Sequence, residues 1–226
     1  MKPLVFFLVL VSASAESLHY TINYPGGLNL GEATLRSTSF ASGSGPKSSI
    51  QSWDFVLDVD ASIPGFAVRD HYQSTASGDL CSVQLDKSFT HGRHKSDEHI
   101  SFDQEQHIAT RQTKNDGGKS DQSMSACAHD ALTFIQFVRR ELEQGKLVPQ
   151  QQVVFGALYS VRIEYKGVQT IKLGDKRMES DRIVAAIKGP SSNVTAEIFF
   201  SRDAARIPLI AKIPLSPGII SVELQQ

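Results

Sequence analysis

Through most of this chain apolar and polar residues alternate one by one, and the period changes only once. Tyr20, Ile22 and Tyr24 alternate with Thr21 and Asn23, the period of a strand with one buried face. Pro25-Gly26-Gly27 supplies a turn, and a second strand is expected over 28–35. Trp53, Phe55, Leu57 and Val59 interleave with Asp54, Val56, Asp58 and Asp60, giving one large apolar face and one mostly acidic face. Pro64-Gly65 breaks that run, and strands are predicted over 66–74, 80–89, 94–102 and 106–113. Others follow over 152–157, 160–165, 168–173, 178–187, 194–201, 207–213 and 219–224. Reversals are expected at Lys166-Gly167, Gly174-Asp175, Gly189-Pro190-Ser191-Ser192 and Ser216-Pro217-Gly218. Segments 37–49 and 115–123 are polar and glycine-containing and read as loops.

The one change of period falls between Ser125 and Gly145. Ala128, Ala131, Leu132, Ile135, Val138 and Leu142 recur at helical steps. Ser125 is the expected N-cap, Arg139 and Arg140 favour the negative end of the dipole, and Gly145 can close the helix in a left-handed conformation. A helix of that length would be roughly 30 Å long. Short strands with regular turns and one helix predict a mainly β fold. The expected form is a curved antiparallel sheet, barrel or half-barrel, with one long α-helix packed against or inside it.

The N-terminus changes the picture of compartment. Lys2, the apolar run 4–11 and Ala13-Ser14-Ala15 form a secretory signal peptide over residues 1–15. Cleavage is expected after Ala15, leaving Glu16 to begin a single domain over 16–226. The apolar run is too short to span a bilayer, which takes about 20 apolar residues, and no later run is long enough. Without Lys2 the chain carries 22 basic and 24 acidic side chains. That balance speaks against a nucleic-acid partner and offers no basic face to anionic lipid. The two cysteines, Cys81 and Cys127, are expected to form a disulfide in an oxidising compartment; a reactive thiol at Cys127 is the alternative.

Candidate chemistry is sparse. His91, His94, His99 and His107, interspersed with Asp97, Glu98, Asp103 and Glu105, are the candidate metal ligands, but their spacing matches no strong motif. Strand alternation also puts His94 and His99 on opposite faces. Gly118-Lys119-Ser120 resembles the end of a phosphate loop, yet Thr113 stands where its first glycine belongs. No HExxH or GxSxG occurs, so no catalytic residue and no cofactor is assigned. Asp54, Asp58 and Asp60 read as a solvated face, and Asn193-Val194-Thr195 as a chance match to a glycosylation triplet. Aromatic residues spread through the strands and helix, Trp53, Phe55, Phe134, Phe155 and Tyr165 among them, pack a closed core or else line an apolar cavity.

Four stretches carry a resemblance. They are Tyr20-Thr21-Ile22 with the segment 30–35; the segment 68–74; Asp130-Ala131-Leu132 with Val138-Arg139; and Arg202-Asp203-Ala204-Ala205-Arg206-Ile207-Pro208 with Gly218-Ile219-Ile220. Together they resemble a family of exported bacterial proteins catalogued as domain of unknown function 3108. The resemblance implies an envelope protein, periplasmic or secreted, and transfers no functional residue. Likeness to the half-barrel lipoprotein carriers is an analogy of fold alone. The expected function is non-catalytic binding of a lipid-like molecule or of another envelope protein. The alternatives are a metal-dependent or hydrolytic enzyme centred on His91 to His107, and a structural partner-binding domain.

Overall fold

Each alternating segment of the first half becomes one arm of an antiparallel meander. The computed structural model describes residues 11–42, 49–63, 65–114, 117–215 and 218–225. β1 (Val11–Tyr24), β2 (Leu28–Ser42), β3 (Ser49–Ile63) and β4 (Phe66–Ser77) pair in sequence. β5 (Ser82–His91), β6 (His94–Asp103), β7 (Ile108–Thr113) and β8 (Lys119–Ser123) continue the series. The short β9 (His129–Asp130) then leads into the helix α1 (Ala131–Glu143). A second meander follows: β10 (Gln151–Val154), β11 (Leu158–Leu173), β12 (Lys176–Lys188), β13 (Asn193–Ser201), β14 (Pro208–Leu215) and β15 (Gly218–Leu224). Pairing of Tyr20 with Leu224 and Ile22 with Val222 joins β1 to β15. Among the described residues the result is one 15-stranded sheet, curved and unclosed, with β8 and β9 at its ends.

The helix lies on the concave face. Phe134, Val138 and Leu142 pack on Val153, Val161, Ile183, Ala185 and Phe200, while Leu132 packs with Phe55, Tyr72, Ala76 and Leu80. It is shorter at its start than the apolar period predicts. The N-cap is Asp130, not Ser125: its side chain accepts from the backbone N–H groups of Leu132 and Thr133, and Thr133 completes a capping box. Residues upstream are drawn into the sheet instead, where β9 pairs in parallel with β10. Gly145 closes the helix as expected, at φ 69°, with Gly145 N–H bonded to Leu142 O and Lys146 N–H to Glu141 O.

Three loop expectations are corrected. Residues 37–42 extend β2, and 119–123 form the edge strand β8 rather than a loop. Lys166-Gly167 is a bulge inside β11, where the register with β12 shifts, and not a reversal. Glycine serves either purpose at positive φ, so the dipeptide could not tell them apart.

Cys81 and Cys127 are disulfide-bonded, with Cα atoms 4.6 Å apart. The bridge ties the start of β5 to the segment before β9, beside the bond from Ser82 N–H to Ala128 O (3.0 Å). The turn 202–206 is also anchored. Asp203 accepts from the N–H groups of Ala205 and Arg206, and Arg206 pairs with the mostly buried Asp181. From the helix, Arg139 reaches Ala205 O (3.0 and 2.9 Å) and grips both carboxylate oxygens of Glu16 on β1 (2.6 and 2.9 Å). The Arg206–Asp181 pair is thus mostly buried, whereas Arg202 pairs with Glu179 in the open.

Candidate functional site

A mismatch of lengths creates the site. The 13-residue helix spans roughly 20 Å, whereas β2, β3 and β11, of 15 to 16 residues, each run about 50–55 Å. The helix therefore covers the part of the concave face near Glu16, Phe55 and Phe200. The face continues past it toward the β1–β2, β3–β4 and β14–β15 turns. Inward-facing residues there keep the apolar alternation and form a cleft of about 630 Å³, within the range of about 300–1,000 Å³ usual for small-molecule sites. Its walls are Ile22, Leu30, Val59, Ala61, Val68 and Ile220, with Tyr24 and Phe66 toward the turns. At the rim Leu28 is 61% exposed, Ile63 51%, Phe66 45% and Leu215 50%. Four large apolar side chains standing in water around one opening are more than the scattered surface residues of an ordinary monomer.

The cleft has one polar wall. Asp70 on β4 and His91 at the end of β5 face it. Asp70 Oδ2 accepts from the Tyr72 hydroxyl (2.8 Å), and Asp70 Oδ1 lies 2.9 Å from His91 Nε2. Burial, reinforced by the Asp70 carboxylate, pushes the Tyr72 hydroxyl well above the usual phenol range, so it stays a donor. Deeper along the same face, Lys87 Nζ lies 3.1 Å from Glu98 Oε2, and Arg111 pairs with the other carboxylate oxygen. Lys87 also sits 4.4 Å from the centre of the Phe155 ring. Gly156, at φ 86°, closes over this pair: a Cβ there would lie 3.0 Å from Lys87 Nζ and 3.1 Å from Glu98 Oε2. The charges are thus paired and packed, which is how a buried ion pair persists.

Burial by itself would raise the Glu98 carboxyl, but Arg111 and Lys87 together outweigh it and hold the group below its ordinary value of 4.5. A lowered folded value means that the unfolded chain binds the proton more tightly. Stability from this group is present above about pH 4.5 and is lost as pH falls through the lower folded value. Acid-induced unfolding followed by circular dichroism should begin at lower stability and show a shallower slope below that pH for Glu98→Gln than for the parent chain.

The histidines do not assemble. His91 and His94 are opposite each other at the β5–β6 turn. His99 pairs with Asp86 on the outer face, and His107 stands exposed in the turn at the far end of β6, about 30 Å of strand away. Among the described residues no three His, Cys, Asp or Glu side chains gather as a metal site. Of the aromatic residues, Phe55 and Phe134 are buried in the clusters under the helix, and Trp53 stacks on Phe55 (5.8 Å). Phe155 lies against Tyr72 and Lys87. Tyr165 is exposed and donates to Asp181 (3.0 Å). None of these five lines the cleft. His91, in its wall, was expected only as a metal ligand, and the aliphatic rim was missed although its signal was present. Leu28, Ile63 and Leu215 each stand beside a Pro or Gly turn signal, where a polar residue is the norm.

The sequence matches the family described as "Protein of unknown function (DUF3108)" over residues 19–225, nearly its whole length. The chain belongs to DUF3108. No curated protein matches it. Among solved structures this DUF3108 chain is similar to a "Beta-barrel-like Protein of Domain of Unknown Function DUF1849" from Brucella abortus. Identity is 9%, the TM-score is 0.58, and the match covers 93% of this chain and 95% of that one. At such identity the likeness concerns the fold, and it supports the barrel-like reading of the sheet.

Proposed function

We propose that this DUF3108 chain is an exported, non-catalytic protein that holds an apolar ligand in the cleft beyond the helix. The observation that carries the reading is the apolar concave surface continuing past α1 to an opening rimmed by exposed Leu28, Ile63, Phe66 and Leu215. Leaving such a surface in water costs roughly 25 cal/mol per Å² of apolar area, which a bound hydrocarbon would recover. Export rests on the leader read from the sequence, most of which (residues 1–10) lies outside the described residues. Cleavage after Ala15 would leave Glu16, the partner of Arg139, as the first mature residue. The Cys81–Cys127 bridge supports an oxidising compartment, and no helix among the described residues is long and apolar enough to cross a membrane.

Native mass spectrometry of protein secreted with its own leader tests this. The expected spectrum shows a polypeptide beginning at Glu16 with a bound lipid-sized mass that solvent extraction removes. Phe66→Asp, at an exposed position, should leave the fold intact and lower occupancy by at least about tenfold, the effect of some 1.4 kcal/mol. A bare polypeptide, or a ligand indifferent to Phe66→Asp, would count against the cleft.

A further inference from the structure

The polar wall of the cleft restricts what its ligand can be. Asp70 is only 10% exposed in its side chain and already accepts from the Tyr72 hydroxyl, while His91 Nε2 sits 2.9 Å from it. A carboxylate only accepts, so the imidazole nitrogen facing it carries a hydrogen. In the neutral ring the other nitrogen, Nδ1, then holds a lone pair. Nδ1 has no hydrogen-bond partner among the described residues, and the ring, 41% exposed, lines the cleft. The wall thus presents one acceptor backed by one buried negative charge, with the apolar walls leading away from it. A head that donates a hydrogen bond satisfies Nδ1. A carboxylate head would bring like charge toward Asp70 in surroundings of low dielectric, where repulsion is stronger than in water. Lys87 and Arg111, the cations on the same face, are already committed to Glu98.

We infer that the cleft selects a neutral amphiphile whose hydroxyl head donates to His91, and discriminates against a fatty carboxylate of the same chain length. The inference rests on the reading that the cleft binds apolar ligands, and the test separates the two. The mature protein is loaded with the neutral dye N-phenyl-1-naphthylamine at about pH 8, where a fatty carboxylate is ionised. The dye is then displaced with monolauroylglycerol or with laurate. Monolauroylglycerol should displace at a concentration about tenfold lower. Asp70→Asn should reduce that ratio by improving laurate, and His91→Phe should reduce it by weakening monolauroylglycerol. Thermal unfolding of each variant confirms that it is folded. Equal displacement by the two lipids, or a preference for laurate, would overturn the headgroup inference while leaving ligand binding intact. So would a ratio unchanged in both folded variants. If the dye binds to neither the parent nor Phe66→Asp, or equally to both, the cleft itself is not the site and both readings fail.

Discussion

Replacing both Cys81 and Cys127 by alanine is expected to lower the stability of the folded chain by about 4 kcal/mol. The two cysteines lie 46 residues apart, and releasing a loop of that length restores about this much chain entropy to the unfolded state. The loop holds β5 to β8 and the approach to the helix, so the bridge does more than staple a surface turn. It fixes the start of β5 against the segment that delivers Asp130 to the cap position. Urea denaturation of parent and double variant measures the difference, and for a chain of this size the melting temperature should fall by roughly 8–16 °C. A shift of under about 1 kcal/mol would mean that the neighbouring contacts hold the junction without the bridge, or that the reduced chain stays compact.

The second large effect is expected at Asp130. It is fully buried, and its carboxylate accepts from Ser74 Oγ (2.5 Å), Ser82 Oγ (2.7 Å) and the N–H groups of Leu132 (2.8 Å) and Thr133 (3.1 Å). One side chain thereby caps the helix and joins it to β4 and β5. Asp130→Ala removes a cap, worth about 1 kcal/mol. It also leaves buried donors unpaired at about 1–3 kcal/mol each. Because Ser82 retains Thr133 as a partner, the combined loss should be about 3–5 kcal/mol rather than the full sum. Equilibrium unfolding measures it. Asp130→Asn, which keeps the shape and one acceptor, should lose distinctly less. If alanine and asparagine cost the same, the carboxylate's second oxygen, and not the cap, carries the effect.

Legibility differed from element to element for physical reasons. Strands with one wet face, such as the one through Trp53 to Asp60, were readable because burial on a single face imposes a period of two. Residues 37–42 were not, because their serines sit in a strand whose pairing to β3 supplies what composition does not. The helix was readable by its stripe but not by its start. Ser125 and Asp130 are both capable caps, and the choice fell to Asp130 because Ser74 and Ser82, more than 45 residues away, converge on it. The four histidines shared a stretch of sequence but no site: His91 and His94 meet at one end of β6, and His107 lies beyond its other end. Asp70 and His91, 21 residues apart, met because adjacent strands place them on one face.

By itself, then, the sequence determined the mainly β class, the single helix with its glycine stop, the pairing of its two cysteines and membership of DUF3108. The first three follow from local periodicity, turn chemistry and residue count, and membership follows from the family match over residues 19–225. Only the tertiary structure decided that the helix stops short of the sheet it covers, and that the uncovered end is an apolar cleft with Asp70 and His91 in its wall. A cleft is set by the difference between the reach of one element and that of its neighbours, and by which strands lie side by side. Neither quantity exists within a window of the chain.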